Sequence, residues 1–147
     1  MITSTQIFAN YLDKKEIRYT IEAEDVLAVE VNGMENAQKI RVVFIFDEDE
    51  QSVAIRCFSV AKVPSDKLAR AYEMCSKLNN NWRWVKFYID SDNEVTVADD
   101  AVVEPTTLGE ECLELLAKCI RIVDKAYPEI MATVWGFNTS VSAPQKR

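Results

Sequence analysis

Along the chain the apolar positions change period several times, and each change marks an element. Ile7, Phe8, Tyr11 and Leu12 fall on one helical stripe and Thr3 with Gln6 has the form of a capping box, so the spacing predicts a helix from Thr3 to near Arg18. Two short extended runs follow, RYTIEAE (18–24) and VLAVEVN (26–32), separated by acidic residues and closed by the turn pair Asn32 and Gly33. KIRVVFIFD and SVAIRCFSV then alternate as strands do, joined by the acidic turn DEDEQ into a hairpin. Pro64 suits the first turn of a helix. Leu68, Ala71, Tyr72, Cys75 and Leu78 share the face of that helix, and an asparagine run, 79–81, ends it.

The stretch NNNWRWVKFYIDSDNEVTVADD (79–100) predicts a second hairpin, Trp82 to Ile89 with Glu94 to Ala98, turning at DSDN. Pro105 opens the last helix, whose apolar face runs from Leu108 through Cys112, Leu115, Leu116, Cys119 and Ile120 to Val123 until Pro128 stops it. The predicted order is α-β-β-β-α-β-β-α, an α+β fold with an antiparallel sheet and segregated helices. A single domain is expected over residues 1–131, followed by a C-terminal tail, 132–147, with one aromatic patch at Trp135 and Phe137.

Successive strand residues face opposite sides of a sheet, so each strand divides into two sets. Ile40, Val42, Phe44, Phe46, Val53, Ile55, Cys57, Val85, Phe87 and Ile89 are almost wholly apolar and should meet the helices. The other set is Arg41, Val43 and Ile45, then Arg56 and Phe58, then Trp82, Trp84, Lys86 and Tyr88. It mixes large rings with three cations. Left open, such a face binds another chain, since aromatics and Arg are enriched in binding hot spots; covered by the last helix or the tail, it is a second core.

Composition narrows the chemistry. The 147 residues include 17 basic and 24 acidic ones, a net charge of −7, which disfavours a dedicated nucleic-acid binder or a protein held on anionic lipid. There is no histidine, so Cys/His zinc sites and His-based acid–base or nucleophile–base pairs are excluded. Three scattered glycines rule out a P-loop or a dinucleotide fingerprint. Asp90, Asp92 and Glu94 alternate as the first ligands of an EF-hand loop do, but Val95 holds the loop glycine position and Ala101 the final glutamate position, leaving a solvated turn. Four cysteines without a C-x-x-C pair read as reduced core residues. The N-terminus lacks a signal pattern and no apolar run is long enough to span a bilayer, so a cytoplasmic protein is expected.

LNNNWRWVKFYIDSDNEVTV, followed by a long helix ending DKAYPEIM, resembles the YbjN family, described as bacterial sensory-transduction regulators, over about residues 1 to 131. The resemblance implies a type III secretion chaperone-like fold and a small acidic homodimer that binds or regulates other proteins without a cofactor. The expected function is therefore a non-enzymatic protein-binding module, chaperone-like or regulatory, with no catalytic, cofactor or metal site and with partners other than nucleic acid or membrane. Its expected binding face is Arg41, Arg56, Phe58, Trp82, Trp84, Lys86 and Tyr88. A small hydrolase-type enzyme using carboxylates in a cleft and a nucleic-acid-binding module are the alternatives.

Overall fold

The computed structural model of the chain describes residues 2–136. Helix α1 (Ser4–Lys14) is followed by strands β1 (Thr20–Ala23), β2 (Val26–Asn32), β3 (Lys39–Phe46) and β4 (Ser52–Lys62). A single 3₁₀ turn leads into α2 (Leu68–Asn81), then β5 (Lys86–Ile89), β6 (Glu94–Val102) and α3 (Leu108–Trp135). The two short runs before Asn32 are separate strands, and all pairings in the six-stranded sheet, in the order β1-β2-β3-β4-β6-β5, are antiparallel. The fold is α+β, as the periodicity indicates.

The three helices pack on one face of the sheet. Phe8 of α1 sits edge-on against Phe44 with ring centroids 4.7 Å apart, and against Phe46. Ala71, Met74, Cys75 and Leu78 of α2 join the same core, as do Leu108, Cys112, Leu116, Cys119 and Ile122 of α3. From the sheet come Ile40, Val42, Phe44, Phe46, Val53, Ile55, Cys57, Val85 and Phe87, the set that alternation assigned to the helices. Burying one such large side chain contributes about 2 kcal/mol, so this face dominates the stability. Tyr72, expected on the buried stripe of α2, is exposed, and Met74 takes the inward place.

Side chains finish what the backbone leaves open. Thr3 caps α1 by accepting from the Gln6 amide, but the Gln6 side chain turns to Asn10, so the capping box is half formed. The Glu50 carboxylate accepts from the Ser4 amide, and the Glu50 carbonyl from the Ser4 hydroxyl. Part of the acidic DEDEQ turn thus serves the positive end of α1.

Pro128 does not stop α3, which runs on to Trp135 and ends at Gly136 in the left-handed region. Residues 132–135, expected outside the helix, thus continue α3; Phe137 lies outside the described residues. A proline inside a helix removes the N–H that would bond the carbonyl four residues earlier, here that of Asp124. The Asn36 side-chain amide fills that place at 3.0 Å. The buried Asp124 carboxylate in turn accepts the amides of Asn36 at 2.9 Å and Ala37 at 2.8 Å. The freed carbonyl is thus spent on anchoring the loop between β2 and β3.

Where α1 crosses α3, the Tyr11 ring lies on Gly109. A Cβ added to Gly109 falls 2.8 Å from the Tyr11 Cβ and closer still to ring atoms Cγ and Cδ2. Because the clash includes Cβ, rotating the ring does not relieve it. Overpacking costs about 1–3 kcal/mol, against at most about 1 kcal/mol of helix propensity gained. Gly109→Ala is expected to lower the melting temperature by a few degrees; an unchanged or higher midpoint in a thermal scan contradicts this packing.

Candidate protein-interaction face

The second face of the sheet carries no described helix. One row of paired residues crosses it completely: Thr20, Ala28, Val43, Arg56, Ala98 and Lys86, in strand order. Beside this row lie Arg41, opposite Glu30, and Tyr88, opposite Thr96. Alternation adds Phe58, which is 46% exposed; Tyr88 is 40% exposed, and Lys86 is exposed as well.

The cations on this face are largely neutralised within the chain. Arg41 pairs with Glu22, and Lys39 with Glu30 at 3.8 Å. Arg56 reaches the Asp100 carboxylate at 2.9 Å and the Asp99 carbonyl at 2.9 Å. The side chains of Glu22, Glu30 and Asp100 were missed by sequence reasoning; the signal for Glu30 and Asp100 is that each sits on the outward parity of a strand neighbouring its partner, whereas Glu22 reaches Arg41 across the intervening β2.

Two of the expected face residues stand elsewhere. Trp82 is 6% exposed and belongs to the core under the helices. The physical reason is that β5 begins only at Lys86. Trp82 is the C-cap of α2, with its N–H on the Leu78 carbonyl, so strand alternation has not yet started. Trp84 follows at φ 80, and the Val85 amide bonds back to the Arg83 carbonyl at 2.9 Å, closing a γ-turn of the strained kind. This turn resets the parity between the two tryptophans and the strand.

Trp84 is 45% exposed, but its ring lies against α3 rather than on the outer row. The Lys118 ammonium is 5.0 Å from the ring centroid and the Arg83 guanidinium 4.9 Å. Both distances are within cation–π range.

Asn79 explains how β5 starts. Its side chain accepts from the Phe87 amide at 2.7 Å and donates to the Phe87 carbonyl at 3.1 Å. A side-chain amide thereby occupies backbone groups of an edge strand and blunts it against pairing with another chain. The asparagine run read as a helix terminator includes this clamp.

The ionisable groups offer little catalytic chemistry. All four cysteines are buried. Burial pushes Cys57 and Cys112 up to about 12 and Cys75 to about 11, and Cys119 upward too, again chiefly by burial. Thiols held protonated are poor nucleophiles. The carboxylates of Asp90, Asp92 and Glu94 converge within 4.8 Å. Asp90, however, is committed to its own hairpin: Oδ1 accepts the Asp92 and Glu94 amides, and Oδ2 the Thr96 hydroxyl. Desolvation alone would raise its pKa, but these donors and Lys62 hold it below the usual carboxylate range.

Asp99 is different. It is half-buried, its Oδ1 accepts the Asp100 amide, and its Oδ2 is buried with no partner among the described residues. Desolvation raises its pKa, opposed by the Asp100 amide and by the charges of Arg56 and Lys86, and reinforced by that of Asp100.

The arrangement defines a class: an antiparallel sheet with three helices on one face, the type III secretion chaperone-like fold. It superposes on the crystal structure of YbjN from E. coli with a TM-score of 0.58 at 13% identity, covering 85% of this chain and 92% of that one. It also matches a chain of the heterodimeric ExoU–SpcU complex from the type III secretion system of Pseudomonas aeruginosa, with a TM-score of 0.50 at 11% identity, covering 85% of this chain and 95% of that one. No curated protein matches the sequence. The family model for YbjN, "Putative bacterial sensory transduction regulator", matches residues 4–132, and the chain belongs to that family.

The raised pKa of Asp99 has a consequence for stability. A carboxyl whose folded pKa lies above its unfolded value favours the fold below the unfolded pKa and loses that contribution as pH rises through the folded one. Asp99→Asn is therefore expected to stabilise the protein at pH 7. The gain is about 1 kcal/mol, the low end for an unsatisfied buried acceptor because part of the group still reaches water. The difference from wild type should vanish below the unfolded carboxyl pKa of about 4. Paired denaturant titrations at the two pH values check this; a variant less stable at pH 7 contradicts it.

Proposed function

We propose that the chain is a non-enzymatic protein-binding module, chaperone-like or regulatory, that acts in the cytoplasm as a small acidic homodimer. The observation that carries this reading is the sheet face left without a helix, on which Phe58 and Tyr88 stand with Arg41, Arg56 and Lys86. Exposed rings with adjacent cations are the side chains from which binding hot spots are built. Trp84 extends the surface along the flank beside Lys118, whereas Trp82 supports it from within the core.

Family membership and fold support the same reading. The structurally similar ExoU–SpcU assembly is a complex of two proteins, and the family is described as regulatory. Among the described residues no helix is long and apolar enough to cross a membrane. The alternatives fit less well. A nucleic-acid module needs cations free to neutralise phosphate, whereas Arg41 and Arg56 are already paired with carboxylates of their own chain. A hydrolase that works through paired carboxylates needs two acids across a cleft; the desolvated Asp99 has Asp100 beside it, and Asp100 is engaged with Arg56.

The test is affinity capture from lysate of the native host, comparing wild type with the double variant Lys86→Glu, Tyr88→Ala. Both side chains are exposed, so the circular dichroism spectrum should not change. Losing a hot-spot ring costs about 2 kcal/mol, more than tenfold in affinity. A protein retained by wild type should be lost from the folded variant; equal retention by both, or no protein retained by either, overturns the reading.

A further inference from the structure

The pairing of β3 with β4 stops halfway along both strands. Val43 to Phe46 pair with Arg56 to Val53, but Lys39 to Val42 pair only with β2. On its other side β4 pairs with β6 up to Cys57 opposite Val97 and resumes at Ala61 opposite Val95. Four steps on one strand thus face two on the other, and Phe58, Ser59 and Val60 have no partner strand on either side. Ser59 takes the left-handed region, φ 55, at the centre of this bulge. The sheet is forked, with β1-β2-β3 as one arm and β4-β6-β5 as the other.

Unpaired backbone groups inside a sheet require partners. Residues of an antiparallel strand direct their N–H and C=O groups alternately to either side. The Arg41 amide points into the fork, where it meets the Cys57 sulfur instead of a strand carbonyl. By the same alternation Lys39 presents its amide and carbonyl there. A cavity of about 190 Å³ occupies the fork, with Arg41 and Phe58 at its rim and Ile40, Cys57, Val123 and Tyr127 among its walls.

Charge selects the occupant. Lys39 is paired with Glu30 and Arg41 with Glu22, so the rim is balanced, and an acidic chain or a phosphate backbone gains nothing there. A neutral main chain with one apolar side chain matches both the unpaired backbone and the cavity. We propose that the fork between β3 and β4 binds an extended, uncharged segment of another protein, which pairs its main chain with Lys39 to Arg41 and with Phe58 to Val60 and seats an apolar side chain in the cavity. This rests on the protein-binding reading above and gives it a mode, strand addition.

The probe is an uncharged linear peptide selected by panning a random phage-displayed library on the full chain. Strand addition makes main-chain bonds through every second residue on each side of the added strand. N-methylation of one alternate set should weaken binding at least ~10-fold, through the loss of several hydrogen bonds. Methylating positions outside the paired strand should leave binding unchanged. Phe58→Asp should abolish binding. Binding indifferent to both N-methylation and Phe58→Asp overturns the fork site while leaving a protein-binding function intact. Loss of self-association in Phe58→Asp without loss of peptide binding assigns the fork to a second copy and overturns the proposal. Failure to enrich any peptide overturns it too, and if the lysate also yields no captured protein, the parent reading falls with it.

Discussion

The placement of all three helices on one face of the sheet is the constraint from which the other features follow. It buries Phe8, Phe44, Phe46, Ile55 and Phe87 in one contiguous core and leaves the opposite face to be closed by its own side chains. That face answers with ion pairs between strands: Lys39 with Glu30 and Arg56 with Asp100 on neighbouring strands, and Arg41 with Glu22 across β2. Exposed pairs of this kind add little stability. Their effect is to balance charge locally in a chain of net charge −7, which makes the face compatible with another protein surface.

At several points a side chain replaces a missing backbone partner. Asn79 stands in for a neighbouring strand at Phe87, Asn36 for the amide that Pro128 lacks, and Glu50 for the preceding turn of α1. Asn79 and Glu50 act where one element passes into the next, and Asn36 ties the loop between β2 and β3 to the middle of α3. The fork at Phe58 to Val60 differs because the described chain supplies no such stand-in beyond the Cys57 thiol. A thiol is a weak acceptor, so this part of the sheet is held by weaker bonds than the paired strands beside it.

Much of the fold was legible in the sequence because alternation and helical stripes are strong in β3, β4 and α3. The inner set from Ile40 to Phe87 was read from period alone, and the order of elements matches the structure. The expected site was harder. Trp82 and Trp84 look like strand residues, but a helix cap and a γ-turn intervene before Lys86, and parity cannot be carried across either. Pro128 reads as a stop because its lost bond is visible in sequence while the compensating Asn36, far away along the chain, is not. The bulge at Ser59 was hidden for a similar reason, since nothing in SVAIRCFSV breaks the alternation that the backbone itself abandons.

The sheet is closed on one face and forked within its plane, and backbone amide exchange reports the fork residue by residue. Hydrogen–deuterium exchange of the full chain by nuclear magnetic resonance should find the amides of Phe58 to Val60 exchanging at least ~100-fold faster than those of Val53 to Cys57, because protection follows local hydrogen bonding and burial. Continuous protection from Val53 through Lys62 would show β3 and β4 paired throughout and contradict the fork.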